Sequence, residues 1–157
     1  MISHLNKKNK PTIVDISSKK ITSRMAIAQG IVEFSKSTYK KIESLKTKKG
    51  EIKSMAIIAG ILGVKKTSDV IPLCHNIKIE NIDIDIQAIK KISSLKVTSS
   101  VKSRGKTGVE MEALNGVSIA CLTIYDMCKS IDKNIVIKDI RLVKKKGGKS
   151  DFSKLKK

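Results

Sequence analysis

Two long segments of the chain carry hydrophobic residues at helical spacing. The first runs from Glu51 to Val64, and the second runs from Val109 to Ile131. Apolar residues that recur every three to four positions lie on one face of a helix, so both segments are predicted to be helices that pack on a core. A shorter helix is predicted from Ser35 to Leu45.

Other segments alternate hydrophobic and polar residues, which is typical of β-strands with one buried face. The clearest is Ile77–Ile89, where the alternation slips once near Asn81 and so indicates a β-bulge. Ile13–Ser17 is a short apolar piece that suits an edge strand. The same pattern predicts three further strands, over Thr22–Phe34, Ile92–Val101 and Ile135–Val143.

The order of these elements predicts a fold. From residue 22 it is strand, helix, strand, strand, helix, strand, which is the split βαβ arrangement of an α+β, ferredoxin-like antiparallel sheet with helices packed on one face. Because isoleucine is common in the strands, the other face is only partly polar, and we expect a homo-oligomer. The 157 residues fit one domain. We assign residues 13–150 to it, with residues 1–12 as a disordered arm and residues 151–157 as a polar tail.

The chain has a formal net charge of +19, from 33 lysine and arginine residues against 14 acidic ones. Such an excess indicates nucleic-acid binding or an anionic substrate. Nearly all of the charge is lysine, however, and isoleucine is also heavily used, as expected of codon drift in an AT-rich genome. Only 3% of the residues are aromatic, with no interleaved pattern of the kind that stacks on RNA bases. The composition favours a local anion site, with no nucleic acid as partner.

Neither a membrane span nor a secretion signal is predicted. No apolar run approaches the roughly 20 residues of a membrane-spanning helix, and the N-terminus is polar and rich in lysine. The three cysteines form no Cys-x-x-Cys pair, which argues against a disulfide framework or a zinc site. We expect a cytoplasmic protein without membrane contact, metal or cofactor.

The segment from Lys106 to Glu112 joins a basic, extended stretch to the second long helix. A lysine and a glycine before a helix start suit an anion, because the N–H groups of the first turn point towards the ligand. Glu110 and Glu112 follow at once, although one acidic residue suffices to complement the helix dipole. Acid–base chemistry beside a phosphate explains the extra carboxylate. The alternative is a well-capped surface helix.

Three further motifs carry polar groups that suit a site. Cys74–His75 presents an imidazole that either makes a structural hydrogen bond or contacts a substrate. Asp126 and Lys129 are neighbours on the second long helix, either as a surface ion pair or as a carboxylate that orients a functional lysine. Lys49 precedes a glycine and a helix start, in a solvated loop or in a phosphate site.

The length of the second long helix separates two of these candidates. At about 1.5 Å of rise per residue, Glu112 and Asp126 lie roughly 21 Å apart along its axis. One chain cannot bring both to a small substrate. If both serve one substrate, a neighbouring subunit must supply one of them at a symmetric interface.

Seven segments match, in order, the pattern of one known family over about residues 13–150. Two of these segments are Gly105–Leu114 and Leu122–Lys129. Both are highly specific, the first of them from Lys106 onwards. The others are Val14–Ser17, Lys49–Gly50, Ile58–Gly60, Ile71–His75 and Gly147–Ser150. Together they resemble the cyclic pyranopterin monophosphate synthase family, the C protein of molybdenum-cofactor biosynthesis.

This resemblance implies a ferredoxin-like fold in a homohexamer, a trimer of dimers with active sites at subunit interfaces. It implies a lyase of molybdopterin biosynthesis whose substrate is nucleotide-derived, (8S)-3′,8-cyclo-7,8-dihydroguanosine 5′-triphosphate. The products implied are cyclic pyranopterin monophosphate and pyrophosphate.

The family's catalytic positions fall on residues already singled out. Its acidic active-site residue falls on Asp126, and its two functional lysines fall on Lys49 and Lys129. Opening the purine's imidazole part and closing the pterin ring need proton transfers. We therefore predict that the two lysines are general acids or bases with a lowered pKa, and that Asp126 orients Lys129.

The family's substrate-contacting stretch falls on five residues, Leu73, Cys74, His75, Met111 and Glu112, to which we add Glu110. A sugar hydroxyl then attacks the α-phosphate and expels pyrophosphate, which needs positive charge on the phosphate oxygens. The candidates for that charge are Arg24, Lys106 and Lys149, the last of which belongs to the Gly147–Lys149 loop.

Four positions depart from the family's pattern: Ile57 replaces an arginine, Ser68 a tryptophan, Asn76 a proline and Asp151 a glycine. They bear on fine substrate contacts, while the core site residues are intact. A basic RNA- or ribosome-binding module on the same fold is the alternative function, and it predicts an affinity that falls steeply with salt. It leaves the carboxylates unexplained. A third alternative is an inactive, structural oligomer.

Overall fold

The computed structural model describes residues 5, 8–42, 46–47 and 50–154 of the chain, with residues 46, 47 and 50 described by their backbone alone. In chain order the elements are β1 (Thr22–Glu33), α1 (Lys36–Lys41), β2 (Lys46–Thr47), β3 (Gly50–Glu51), α2 (Ile52–Lys65), α3 (Thr67–Val70), β4 (Ile79–Ile89), β5 (Ser94–Gly105), α4 (Glu110–Cys128), β6 (Val136–Lys146) and β7 (Phe152–Ser153).

The main sheet is antiparallel, with the strand order β4-β5-β1-β6-β7. In its four long strands, β1 lies between β5 and β6, which is the order that two split βαβ units produce. The helix α2 packs on α4 and β4, and α4 packs across β1, β5 and β6. The predicted α+β, ferredoxin-like fold with helices on one face is therefore confirmed.

The core lies between this sheet and the two long helices. Alternate residues of β1, among them Ala26, Ala28 and Val32, are fully buried. The helices approach closely because small residues line their contact, and a Cβ added to Gly60 of α2 would lie 3.0 Å from the carbonyl oxygen of Gly116 in α4. Within the described part of the chain, no helix is both long and apolar enough to cross a membrane.

The bulge predicted near Asn81 is confirmed, since the pairing of β4 with β5 shifts by one residue between Ile79 and Asn81. The edge strand predicted over Ile13–Ser17 is wrong. This piece runs beside the sheet without a ladder and ends in a turn, in which the Ser17 N–H donates to Asp15 Oδ1 at 2.8 Å.

Two strands are longer than predicted, and α4 is shorter. β5 continues to Gly105 and β6 to Lys146, beyond the predicted ends at Val101 and Val143. The start of β1 supplies the backbone partners for both extensions, where Thr22 pairs with Gly105 and Met25 with Lys146. α4 ends at Cys128, three residues before the predicted Ile131.

Candidate active site

The connection between β5 and α4 is held in place by Arg24 of β1. Its Nε donates to the carbonyl oxygen of Gly105 at 3.3 Å, and its Nη2 donates to that of Lys106 at 3.4 Å. The guanidinium is therefore fixed beside the start of α4. The predicted candidates Arg24 and Lys106 lie next to each other as a result.

A cavity of about 370 Å³, the basic cavity, opens between this connection, the start of β1 and the end of β6. Seven cationic residues line it: Lys19, Lys20, Arg24, Lys106, Lys145, Lys146 and Lys149. Gly108 and Glu110, at the start of α4, also line it. Such a concentration of positive charge suits a polyanion such as a chain of phosphates.

A glycine loop after β6 closes one side of the basic cavity. Gly147 has a φ of +86°, and a Cβ at this position would collide with the carbonyl oxygen of Ser23. Thr22 Oγ1 donates to the Gly147 carbonyl at 2.8 Å, and the Gly147 N–H donates to Asp151 Oδ1 at 3.0 Å. The departure at Asp151 thus fastens this loop.

A second cavity of about 200 Å³, the Cys–His cavity, adjoins the basic cavity. The two share Thr107, Gly108 and Glu110 as lining residues. The predicted substrate-contacting residues all line the second cavity, namely Leu73, Cys74, His75, Glu110, Met111 and Glu112. The fold therefore brings together two segments that lie more than thirty residues apart in the chain.

Glu112 is a buried carboxyl group in the first turn of α4, with 4% of the residue exposed. Burial raises its pKa, and the nearby Glu110 raises it further, although its own backbone N–H opposes the shift. Cys74 lies in the same cavity, and its thiol pKa is raised by its own burial and by Glu112. The cavity therefore favours neutral, protonated forms of both groups, which suits a carboxyl that exchanges a proton with a substrate.

The replacement Glu112→Gln is expected to stabilise the protein at pH 7. Because the pKa of Glu112 is higher in the folded chain than in the unfolded chain, its ionisation costs stability as the pH rises through the interval between these two values. Glutamine carries no charge, so the gain is expected to be about 1–3 kcal/mol at pH 7. The gain should disappear towards pH 4, where both states bind the proton. Urea unfolding of both proteins at the two pH values measures this, and an equal difference at both would contradict the assignment.

Glu110 lines both cavities. Its Oε1 lies 3.3 Å from Lys145 Nζ, and its carboxylate is folded back over Gly108, where a Cβ would collide with it. Lys145 lies on β6, which places this ion pair between the two cavities. A polyanion bound in the basic cavity would compete with Glu110 for Lys145.

His75 makes the structural hydrogen bond that is one of the two roles considered for it, and its contact with a substrate stays a prediction. Its Nε2 donates to the carbonyl oxygen of Val14 at 2.8 Å, which is the structural hydrogen bond, while the ring also lines the Cys–His cavity. Lys106 likewise bonds to the N-terminal segment, since its Nζ donates to the carbonyl oxygen of Ser17 at 2.6 Å. The segment from Val14 to Ser17 thus contacts two candidate site residues.

Asp126 and Lys129 lie at the far end of α4 and line neither cavity. Lys129 Nζ is 2.8 Å from Asp126 Oδ1, and the two side chains are 55% and 53% exposed. The hydrogen bond and charge of Asp126 raise the pKa of Lys129. The lowered pKa predicted for Lys129 is therefore wrong for the single chain, in which Asp126 stabilises the protonated form of this lysine.

One predicted site residue is not described by the structure, and four lysines that line the basic cavity were not predicted. Lys49 lies outside the described residues. Lys19, Lys20, Lys145 and Lys146 line the basic cavity but were not singled out. Lys145 and Lys146 were not predicted because the last strand was expected to end at Val143, before both of them.

The other departures lie outside the two main cavities. Ile57 packs against the core in place of an arginine. Asn76 lines a third cavity of about 240 Å³ beside His75. Nothing in the structure explains Ser68, which lies in α3.

Comparison with known proteins gives one consistent result. A model of the MoaC family matches residues 13–148. Cyclic pyranopterin monophosphate synthase of Helicobacter hepaticus is 52% identical over 152 residues, which is 96% of both chains. The enzyme of that name from Campylobacter jejuni subsp. doylei is 51% identical over 149 residues, 95% of both chains. The one from Helicobacter pylori strain G27 is 49% identical over 150 residues, 96% of this chain and 95% of its own.

Proposed function

This chain belongs to the MoaC family, and on that premise we propose that it is a cyclic pyranopterin monophosphate synthase, a lyase of molybdenum-cofactor biosynthesis. The substrate is (8S)-3′,8-cyclo-7,8-dihydroguanosine 5′-triphosphate, and the products are cyclic pyranopterin monophosphate and pyrophosphate. The proposal includes a cytoplasmic location, because free thiols such as those of Cys74, Cys121 and Cys128 persist in reducing compartments.

The observation that supports this function best is the adjacency of the two cavities. The basic cavity suits the triphosphate, and the Cys–His cavity suits the ring system. The residues that they share, Thr107, Gly108 and Glu110, suit the sugar and the α-phosphate between those two parts. The volumes of about 370 and 200 Å³ together suit a nucleotide-sized ligand.

The side chains of the two cavities suit the two halves of the reaction. Opening the imidazole part and closing the pterin ring move protons onto and off nitrogen and carbon, for which Glu112 of the Cys–His cavity and Lys129 of a second copy of the chain supply acid–base groups. A sugar hydroxyl then loses its proton and attacks the α-phosphate, and the bond to the bridging oxygen of pyrophosphate breaks. Arg24, Lys106 and Lys149 stabilise the charge that develops there. Lys49, outside the described residues, is the second catalytic lysine in this proposal.

The proposed site is completed by a second copy of the chain. Along α4, Asp126 is roughly 21 Å and Lys129 roughly 25 Å from Glu112, too far to reach the same small molecule. A two-fold axis across α4 places the end of one α4 near the start of the other. The outer surface of the helices is apolar enough for such a contact, since Met55, Ile58, Leu62 and Leu122 are 46–55% exposed. We propose three such dimers in a homohexamer.

Replacing Arg24 by methionine is expected to raise the KM for the triphosphate substrate by about 10- to 100-fold, the usual worth of a charge-assisted hydrogen bond. The variant Arg24→Lys should raise KM less, because lysine keeps the positive charge although it lacks the paired N–H donors of the guanidinium. Steady-state kinetics at fixed ionic strength measures both.

The matched control is Arg141→Met, which removes one of the three arginines from an exposed position of β6. It should leave KM within about twofold, as expected when a distant surface charge is screened by salt. Melting temperatures show whether Arg24→Met also loosens the connection at Lys106. Equal effects of the two methionine variants would mean that net charge, and not this cavity, binds the substrate.

Incubation of the purified protein with the cyclised dihydro-GTP intermediate tests the function itself. We expect release of pyrophosphate and formation of a pterin, and neither product from GTP. A folded protein that releases no pyrophosphate from the intermediate would refute the synthase function. A salt-sensitive affinity for RNA would then support the alternative.

A further inference from the structure

The proton of His75 can be placed by the hydrogen bond that its ring makes. Nε2 lies 2.8 Å from the carbonyl oxygen of Val14. A carbonyl oxygen only accepts, so Nε2 must carry the hydrogen, and a neutral imidazole then has its lone pair on Nδ1. Within the described part of the chain, no other hydrogen bond to this ring is present.

We propose that the backbone carbonyl of Val14 fixes the proton of His75 on Nε2, so that Nδ1 is the atom that accepts a hydrogen bond from the substrate. The ring lines both the Cys–His cavity and the third cavity, so it separates the N-terminal segment from the substrate space. The part of the inference that concerns the substrate rests on the proposed function. The position of the proton does not.

The Val14 carbonyl is held by a built turn. The Ser17 N–H donates to Asp15 Oδ1 at 2.8 Å, and the Ser17 carbonyl accepts from Lys106 Nζ at 2.6 Å. Ile16 lines the third cavity together with His75 and Lys106. His75 therefore binds this segment before Asp15, at Val14, and Lys106 binds it after Asp15, at Ser17. The segment in turn orients both side chains.

This arrangement defines what His75 can do in the reaction. Nδ1 can accept a proton from an N–H or O–H group of the substrate, which leaves an imidazolium with both nitrogens protonated. The Val14 carbonyl stabilises that cation through the same Nε2 hydrogen bond. The proton returns to the product when the ring regains its neutral form. Val14 is thus a positioning residue that acts through the tautomer of His75.

Nitrogen NMR of the imidazole rings tests the proton position without substrate. The chain has only two histidines, and the variant His75→Gln identifies which signals belong to residue 75. At a pH where the ring is neutral, we expect a protonated Nε2 and an unprotonated Nδ1, with no averaging between tautomers. A ring protonated on Nδ1, or an averaged pair of signals, would overturn the proposal.

A pair of deletions tests the role of Val14. Removing residues 1–16 should give averaged tautomer signals. It should also lower kcat at least about tenfold, because the ring is no longer held in the tautomer that leaves Nδ1 free to accept a proton. Removing residues 1–10 should change neither. If the longer deletion does not fold, Asp15→Ala serves instead, because it breaks the turn and should also give averaged tautomer signals. The variant Asp15→Asn keeps an acceptor oxygen and should show the wild-type signals. Unchanged tautomer signals in the folded longer deletion, or in Asp15→Ala if that deletion does not fold, would overturn the proposal. Absence of turnover with the predicted tautomer present would refute the proposed function alone.

Discussion

Replacing Lys129 by alanine should lower kcat for pyrophosphate release by about 10²- to 10⁴-fold, the usual contribution of a general acid or base. Asp126 lies 2.8 Å from the amine of this lysine and stabilises its protonated form in the single chain, and the variant removes the proposed acid–base group. The side chain is half exposed in the single chain, so stability should change by less than about 0.5 kcal/mol. A discontinuous assay of pyrophosphate with circular dichroism on the same samples measures both quantities.

The chain offers a matched control for this prediction. Lys66 and Asp69 form another exposed ion pair with the same spacing, in which Nζ lies 3.1 Å from Oδ2. Lys66→Ala should keep wild-type kinetics, because that pair serves only as a surface contact. A near-normal kcat in Lys129→Ala, or an equal loss of kcat in both variants, would contradict the catalytic role of Lys129.

Mixing two inactive variants, Glu112→Gln and Lys129→Ala, should restore activity. In a shared site, one dimer that contains both variants has one site with two lesions and one site with none. Random pairing at equal amounts makes half of the dimers mixed, so about a quarter of the wild-type activity should return. This effect is large because each variant alone is expected to have almost no activity.

The mixing experiment needs subunit exchange, which co-expression of two differently tagged chains ensures. The control is the double variant with both changes in one chain, mixed with itself, which should remain inactive. No recovery in purified mixed oligomers would show that Glu112 and Lys129 do not meet at one site across an interface. Recovery to wild-type levels would contradict the model in the opposite direction, since it requires activity in both sites.

The helices and the sheet were predictable because hydrophobic spacing determines which face of each element is buried. The alternation in β4 located even the bulge at Asn81, since a single inserted residue shifts every later side chain. The start of α4 was also readable, because Glu110 and Glu112 belong to its first turn. These signals are local, and the fold follows from them.

The remaining features depend on contacts between distant segments. The ladder partners that extend β5 and β6 come from the start of β1, so the strand ends could not be located from their own residues. Ile13–Ser17 is apolar enough for a strand, but its Ser17 carbonyl binds Lys106 instead of a neighbouring strand. The pKa of Lys129 depends on how closely Asp126 approaches it, which composition does not reveal.

A crystal structure of Lys129→Ala with the cyclised dihydro-GTP substrate tests the central claim most directly. We predict that the triphosphate lies against Arg24, Lys106 and Lys149, that the ring system contacts His75 and Glu112, and that residue 129 of a second copy faces the ring system. A triphosphate bound away from the basic cavity, or a site enclosed by one chain alone, would contradict the account.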